Sequence, residues 1–237
     1  MTKRGKKYQE TLKLLDGGGT YSPEEGIELA KKMAYAKFDE TVELHLRMGV
    51  DPRNATQQVR GVALLPHGLG KEVRVLVFAQ GEAERIAKDA GADFVGSDEL
   101  VKKIEGGWLD FDSAMATPDM MSRVGKLGKI LGRRGLMPNP KSGTVVAAED
   151  LPRVIGDARK GRVEFKLDRT AIIHVPLGKA SFESDRLRDN LTAVIEAVVK
   201  AKPSGAKGQY VKSASLSTTM GPGVKLDLSS TLALSSG

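Results

Sequence analysis

Residues 74–116 read R-V-L-V-F-A-Q-G-E-A-E-R-I-A-K-D-A-G-A-D-F-V-G-S-D-E-L-V-K-K-I-E-G-G-W-L-D-F-D-S-A-M-A. Residues 74–79 are an apolar run of strand length. Residues 82–90 follow a helical period and stop at Gly91. Residues 92–95 form the next strand pattern, and Ser97 precedes a helix that ends at Gly106 and Gly107. Residues 111–116 give a third strand, after which Thr117 and Pro118 open a helix running to about residue 131. Strands alternating with helices bury both faces of a mostly parallel sheet, so this stretch predicts a small doubly wound α/β domain. Residues 149–159 make the helix that leads out of it, with Gly161 as the stop.

On either side the rhythm is different. Residues 8–15 read as a short helix ended by three glycines. Ser22, Pro23 and Glu25 then supply an N-cap, a first-turn proline and a capping-box glutamate for a helix to about residue 35. Residues 41–50 alternate cleanly, with Val42, Leu44, Leu46, Met48 and Val50 on one face and Glu43, His45 and Arg47 on the other. That is a half-buried strand with one wet side. Residues 59–65 give a second strand before Pro66, His67, Gly68 and Gly70 break the pattern.

After the middle region, residues 162–166 and 170–175 resemble a hairpin turned near Asp168. Ser184 caps a helix over residues 185–201, and residues 211–218 and 224–228 are strands. Neither end has enough elements for a core of its own. The expected architecture is therefore discontinuous. Residues 1–67 and 160–228 form an α+β domain, residues 68–159 are an α/β domain inserted in it, and the Ser-rich residues 229–237 are a flexible tail.

The 237 residues carry 37 Lys+Arg against 30 Asp+Glu, a formal charge of +7. The surplus falls in the two ends, at +2 for residues 1–67 and +5 for residues 160–237, while residues 68–159 balance. A polyanion is the partner such a balance favours. The absence of cysteine excludes disulfides, thiolate metal sites and cysteine nucleophiles. No apolar run has the roughly 18–20 residues needed to span a bilayer, so a soluble, cytoplasmic protein is expected.

The nucleotide fingerprints fail. Ala79, Gln80 and Gly81 stand where a dinucleotide-binding loop needs Gly-x-Gly-x-x-Gly, and Pro140 precedes Lys141 where a phosphate-binding loop needs glycine. His45, His67 and His174 lie far apart in the chain, and no Gly-x-Ser-x-Gly elbow occurs. Neither cofactor, metal nor catalytic residue is expected. The rival reading is an enzyme or a nucleotide-responsive regulator built on the middle domain.

The densest signal is residues 120–145, M-M-S-R-V-G-K-L-G-K-I-L-G-R-R-G-L-M-P-N-P-K-S-G-T-V. Gly125, Gly128 and Gly132 share one helix face and each weakens the helix by roughly 1 kcal/mol. A close helix crossing and direct ligand approach are both open as the reason. Arg123, Lys126, Lys129, Arg133, Arg134 and Lys141 accompany them without one acidic residue. This stretch resembles the signature of the large-subunit ribosomal protein L-one family, the protein of the mobile ribosomal stalk. Further landmarks follow in family order: residues 36–41 (A-K-F-D-E-T), 65–71 (L-P-H-G-L-G-K), 91–96, 117–119, 178–182 and 218–222 (T-T-M-G-P). Arg133 departs from the family, which often has proline before the Arg-Gly pair.

The resemblance implies that the end-plus-end domain is the main rRNA-binding body and that the middle is a Rossmann-like domain joined by two hinge strands. It further implies a cytoplasmic ribosomal protein, monomeric off the ribosome. Its partners would be large-subunit rRNA, exit-site tRNA and, as a translational repressor, its own operon mRNA. Three clusters match the family's contacts: Lys37, Phe38 and Thr41; Asp168, Arg169, Thr170 and His174; and Ser213, Ser217, Thr219, Met220 and Gly221. Lys166, Lys207 and Lys212 would form a cationic rim. Phe38 is either a face for a sugar or base or a core residue, and Asp168 either accepts from RNA or caps its turn. Gly221 would let the RNA backbone approach. Arg123, Lys126, Arg133, Arg134 and Lys141 form a possible second RNA-facing edge.

Overall fold

The computed structural model describes residues 5–15 and 17–236. The basic residues 3–4 and the final residue of the expected tail lie outside them. The chain divides into two units, Met1–Gly70 with Val163–Gly237, and Lys71–Arg162. The first unit opens with α1 (Lys6–Leu12), α2 (Pro23–Lys32), β1 (Thr41–Met48) and β2 (Arg60–Leu64). In the second, β3 (Val75–Phe78), α3 (Glu82–Asp89), β4 (Phe94–Gly96), α4 (Asp98–Glu105) and β5 (Ser113–Ala116) alternate. They are followed by α5 (Met121–Val124), α6 (Gly128–Arg134) and α7 (Leu151–Arg159). The chain returns through β6 (Arg162–Lys166), β7 (Ile172–Lys179), α8 (Ser184–Lys200), β8 (Val211–Thr218), β9 (Val224–Leu226) and α9 (Leu228–Ala233).

The second unit is an α/β body whose strands run parallel in the order β4-β3-β5. Alternation along β3 divides its core. Leu76 and Phe78 pack with Leu100, Ile104, Leu127 and Leu131 on one face, while Val75 and Val77 pack with Ala87, Leu151 and Ile155 on the other. After β5 the expected long helix is instead broken into α5 and α6 by a 3-10 turn at Gly125–Leu127. Of the two open reasons for the glycines, the close helix crossing is absent: among the described residues, a Cβ placed on Gly125, Gly128 or Gly132 would meet nothing within 4 Å beyond its own stretch of helix. These glycines loosen the helix without admitting a neighbour.

The first unit is built on an antiparallel sheet of order β7-β1-β8-β9. Helices α2 and α8 cover one side, where Val42, Leu44, Leu46, Ile173, Val175, Leu177, Leu216 and Val224 meet Ile27, Leu191, Val194 and Ile195. The capping box at Ser22 and Glu25 is formed as the sequence predicts. Two expectations change. The hairpin at Asp168 shrinks to a single antiparallel bridge between Leu167 and Ile173, and β6 itself pairs with β2, where Gly61 leaves room for the Phe165 ring. The turn after Asp168, with Ala171 in the left-handed region at φ 61°, redirects the chain so that β7 joins β1. The tail is not loose either. Asp227 accepts the Ser230 N–H at 2.8 Å, the buried Thr231 hydroxyl donates to the Asp227 carbonyl, and Leu228, Leu232 and Leu234 pack on the core. Serines that read as disorder are the capping turn of a helix with leucines on its inner side.

Candidate nucleic-acid interface

Among the described residues, the sheet of the first unit has helices on one side only. On the other, strand alternation presents Glu43, His45 and Arg47 from β1, His174 from β7 and Ser213, Ser215 and Ser217 from β8. Register brings them together: His45 lies between His174 and Ser215, Glu43 faces Ser217, and Arg47 faces Ser213. The result is a field of hydroxyls and imidazoles over an aliphatic layer.

At one end of this field, residues 35–41 meet the loop after β8. Their joint is Glu40, only 1% exposed. One carboxylate oxygen accepts the N–H groups of Tyr35 (2.9 Å) and Ala36 (2.7 Å), and the other accepts that of Met220 at 2.9 Å. Burial pushes this carboxyl up. The N–H groups of Ala36 and Met220, the Thr218 hydroxyl and the Tyr35 N–H outweigh it and hold the group below its usual value. Nearby, the Thr41 N–H donates to the Thr219 hydroxyl at 2.9 Å, and the Lys179 ammonium to the Thr41 hydroxyl at 3.0 Å. Asp39 accepts both the N–H and the hydroxyl of Ser181.

Held this way, Lys37 is exposed, and Phe38 and Met220 are turned to solvent at 56% and 49%. Phe38 is therefore not a core residue. The Gly221 N–H donates to the Thr218 hydroxyl at 3.1 Å, and a Cβ there would collide with that same hydroxyl. The protein's own loop therefore requires the glycine.

At the other end, Asp168 folds its own turn. Its carboxylate accepts the Thr170 N–H (2.8 Å), the Thr170 hydroxyl (2.6 Å) and the Ile172 N–H (2.7 Å). Burial raises this carboxyl, but the Thr170 hydroxyl, those two N–H groups and His174 together bring it below its usual value. Asp168 is thus the turn cap, and the exposed Arg169 and Thr170 are what it displays. The rim lysines 166, 207 and 212 are exposed as well.

Glu40 and His45 escaped sequence reasoning. A charged residue between Asp39 and a strand reads as solvated, and His45 and His174 are 129 residues apart in the chain although their Nδ1 atoms lie 2.7 Å apart. The only available signal for Glu40 was its place inside the A-K-F-D-E-T landmark.

In the second unit, the half-exposed Arg123 is paired with Asp98 at 2.9 Å on the surface. Lys126, Arg133, Arg134 and Lys141 are exposed and form no ion pair among the described residues. The crevice at the carboxyl ends of β3 and β5, where doubly wound sheets hold nucleotides, has a volume of about 280 Å³. Gln80, Thr117 and Asp119 are its polar lining, and it has no basic side chain to meet a phosphate. Among the described residues no group of His, Asp and Glu could hold a metal ion, and no helix is long and apolar enough to cross a membrane.

Residues 30–222 match the model of the ribosomal protein L1p/L10e family. The chain belongs to that family. Proteins of three strains of Dehalococcoides mccartyi, each named large ribosomal subunit protein uL1, are 71% identical to it over 228 residues, which is 96% of this chain and 96% of theirs. The family is one of structural ribosomal proteins, so the enzyme reading is set aside, and rRNA binding is general to it.

Proposed function

We propose that the uncovered sheet face of the first unit, with the loops at its two ends, grips a folded segment of large-subunit rRNA. The single observation that carries this is topological. Phe38 and Met220 at one end and the Asp168 turn at the other border the same polar field, through the register of β1 with β7 and β8. Serine and threonine hydroxyls both donate to phosphate and accept from a ribose 2′-OH, and exposed apolar side chains offer a surface to a sugar or base. The contact set is Lys37, Phe38, Thr41, Arg169, Thr170, His174, Ser213, Ser217, Thr219 and Met220, with Asp168 and Gly221 shaping the loops that carry them. Charge agrees with this: the first unit holds 21 basic and 16 acidic residues, against 16 and 14 in the second.

On the ribosome, in the cytoplasm, the protein then acts at the mobile stalk and assists release of deacylated tRNA from the exit site. Arg123, Lys126, Arg133, Arg134 and Lys141 of the second unit are its secondary RNA-facing cations. Off the ribosome the same face binds a look-alike element in its own message and represses translation. Support for these finer roles comes from the family membership and the exposed cations.

Phe38→Ala provides the cleanest test, because the ring is exposed and the fold does not depend on it. Filter binding to a large-subunit rRNA stalk fragment should weaken about tenfold, the scale of one lost stacking contact. An unchanged dissociation constant would remove this end of the face from the interface.

A further inference from the structure

Across the middle of the polar field runs a connected set of side chains whose linkage to one another the proposed RNA contacts leave unexplained. The His45 Nδ1 lies 2.7 Å from the His174 Nδ1, and the His45 Nε2 lies 2.8 Å from the Ser217 hydroxyl. The His174 Nε2 lies 3.6 Å from Asp168. The rings meet edge to face with centroids 4.9 Å apart. Because His45 and His174 are directly opposed on β1 and β7, backbone register holds them together.

Two Nδ1 atoms at this separation have room for one proton. Two lone pairs would repel and two N–H groups would collide. The His174 Nε2 faces a carboxylate, which favours a proton there. The remaining choice is at the His45 Nε2. When that nitrogen carries a proton, the pair holds three protons and one positive charge, and His45 donates to Ser217. The Ser217 O–H is then left to donate outward. When the nitrogen is bare, Ser217 must donate to His45 and shows only lone pairs to a ligand. The histidine pair therefore decides whether Ser217 is a donor or an acceptor.

The charged groups around the pair come from every neighbouring element. Glu43 and Arg47 flank His45 on β1, Asp168 and Arg169 stand in the turn before β7, and Lys225 on β9 faces Ser215. Lys179 lies at the far end of β7, Lys212 at the β8 bulge, and the β8 serines do not titrate. The layer beneath is aliphatic. Glu43 and Asp168 balance the first proton. The second is opposed by the first, and burial together with His174 holds His45 below the usual histidine value against the pull of Glu43.

We propose that His45 is a positioning residue of the RNA face: sharing one proton with His174, it holds the Ser217 hydroxyl as a donor to an acceptor oxygen of the RNA backbone. This rests on the RNA-binding reading above. Affinity is then greatest while the pair carries one added proton. It falls at higher pH, when that proton leaves and Ser217 turns inward. It also falls in acid, when a second proton forces the rings apart.

The test is filter binding of the full chain to an rRNA stalk fragment between about pH 5.5 and 8.5, with imidazole ¹⁵N spectra of the free protein over the same range. The wild type should lose about tenfold in affinity from its optimum to the alkaline end, the scale of one hydrogen bond to a charged group. His45→Gln and Ser217→Ala should flatten the profile, whereas Phe38→Ala should weaken binding and keep its shape. The spectra should show the His45 ring nitrogens changing over the same pH range as the affinity. A wild-type affinity independent of pH, an unaltered profile in Ser217→Ala, or a His45 ring unchanged across the binding transition would each overturn the positioning role. Ser217→Ala and the wild-type spectra decide even if His45→Gln fails to fold. If the wild type binds no rRNA at any pH while the His45 ring still responds to pH, the RNA-binding reading itself fails, and the role of Ser217 with it.

Discussion

Glu40 is nearly sealed from water although its neighbours Lys37, Phe38 and Asp39 are all exposed. Three backbone N–H groups from two separate loops converge on it, so its charge is what joins them. Glu40→Gln would leave an amide N–H₂ facing at least one N–H donor, and should lower stability by about 2 kcal/mol in chemical denaturation. The sign with pH follows from the direction of its shift. Its carboxyl is held below the ordinary value, so its contribution is complete above that value and is lost as pH falls through the lowered one. Wild type and Glu40→Gln should therefore converge in stability in acid and differ most near neutrality. Thr219 works beside it. Its hydroxyl accepts the Thr41 N–H, and Thr219→Val should weaken RNA binding by about 1–3 kcal/mol in filter binding by leaving the hydroxyl's polar partner on the RNA unpaired.

At the level of elements, the glycines of the 3-10 turn and α6 show how a pattern can be seen while packing alone decides between its causes. Three glycines on one helical face suggest a close crossing, yet nothing packs on them and none of the three has positive φ. Replacing Gly125, Gly128 and Gly132 together with alanine should raise the stability of the protein by about 2 kcal/mol in thermal unfolding. If the secondary RNA contacts approach this backbone, the same variant should lose affinity for tRNA. The C-terminal helix is the opposite case. Asp227, Ser230 and Thr231 build its first turn and its leucines enter the core, so removing residues 228–237 should destabilise the first unit by a few kcal/mol. Its capping turn was written in the sequence as D-L-S-S-T, but a short Ser-rich segment gives no hint of the surface waiting to receive it.

For the whole molecule, the two units have separate cores, and the expected contacts of highest weight all fall in the first. A chain with residues 71–162 replaced by a short linker should keep rRNA affinity within about tenfold of the full protein. Both should bind more weakly as salt rises, through counterion release. Near-complete loss of binding, or a flat salt titration, would count against a cationic face confined to that unit.

Local pattern was enough to place most elements, because alternation and helical period report which side of a segment must be buried. β1, β8 and the capping box of α2 needed nothing further, and the strand–helix rhythm of the middle gave its parallel sheet. What strands pair with is a long-range matter: β6 pairs with β2, about a hundred positions away in the chain, and the Phe165 ring lies where Gly61 has no side chain. The same holds for the interface. Its residue types were visible one by one, but the field they share, the buried Glu40 that ties its loops and the contact between His45 and His174 exist only where register brings distant positions to adjoining strands. Composition fixes what each side chain can do, and the tertiary fold decides which of them meet.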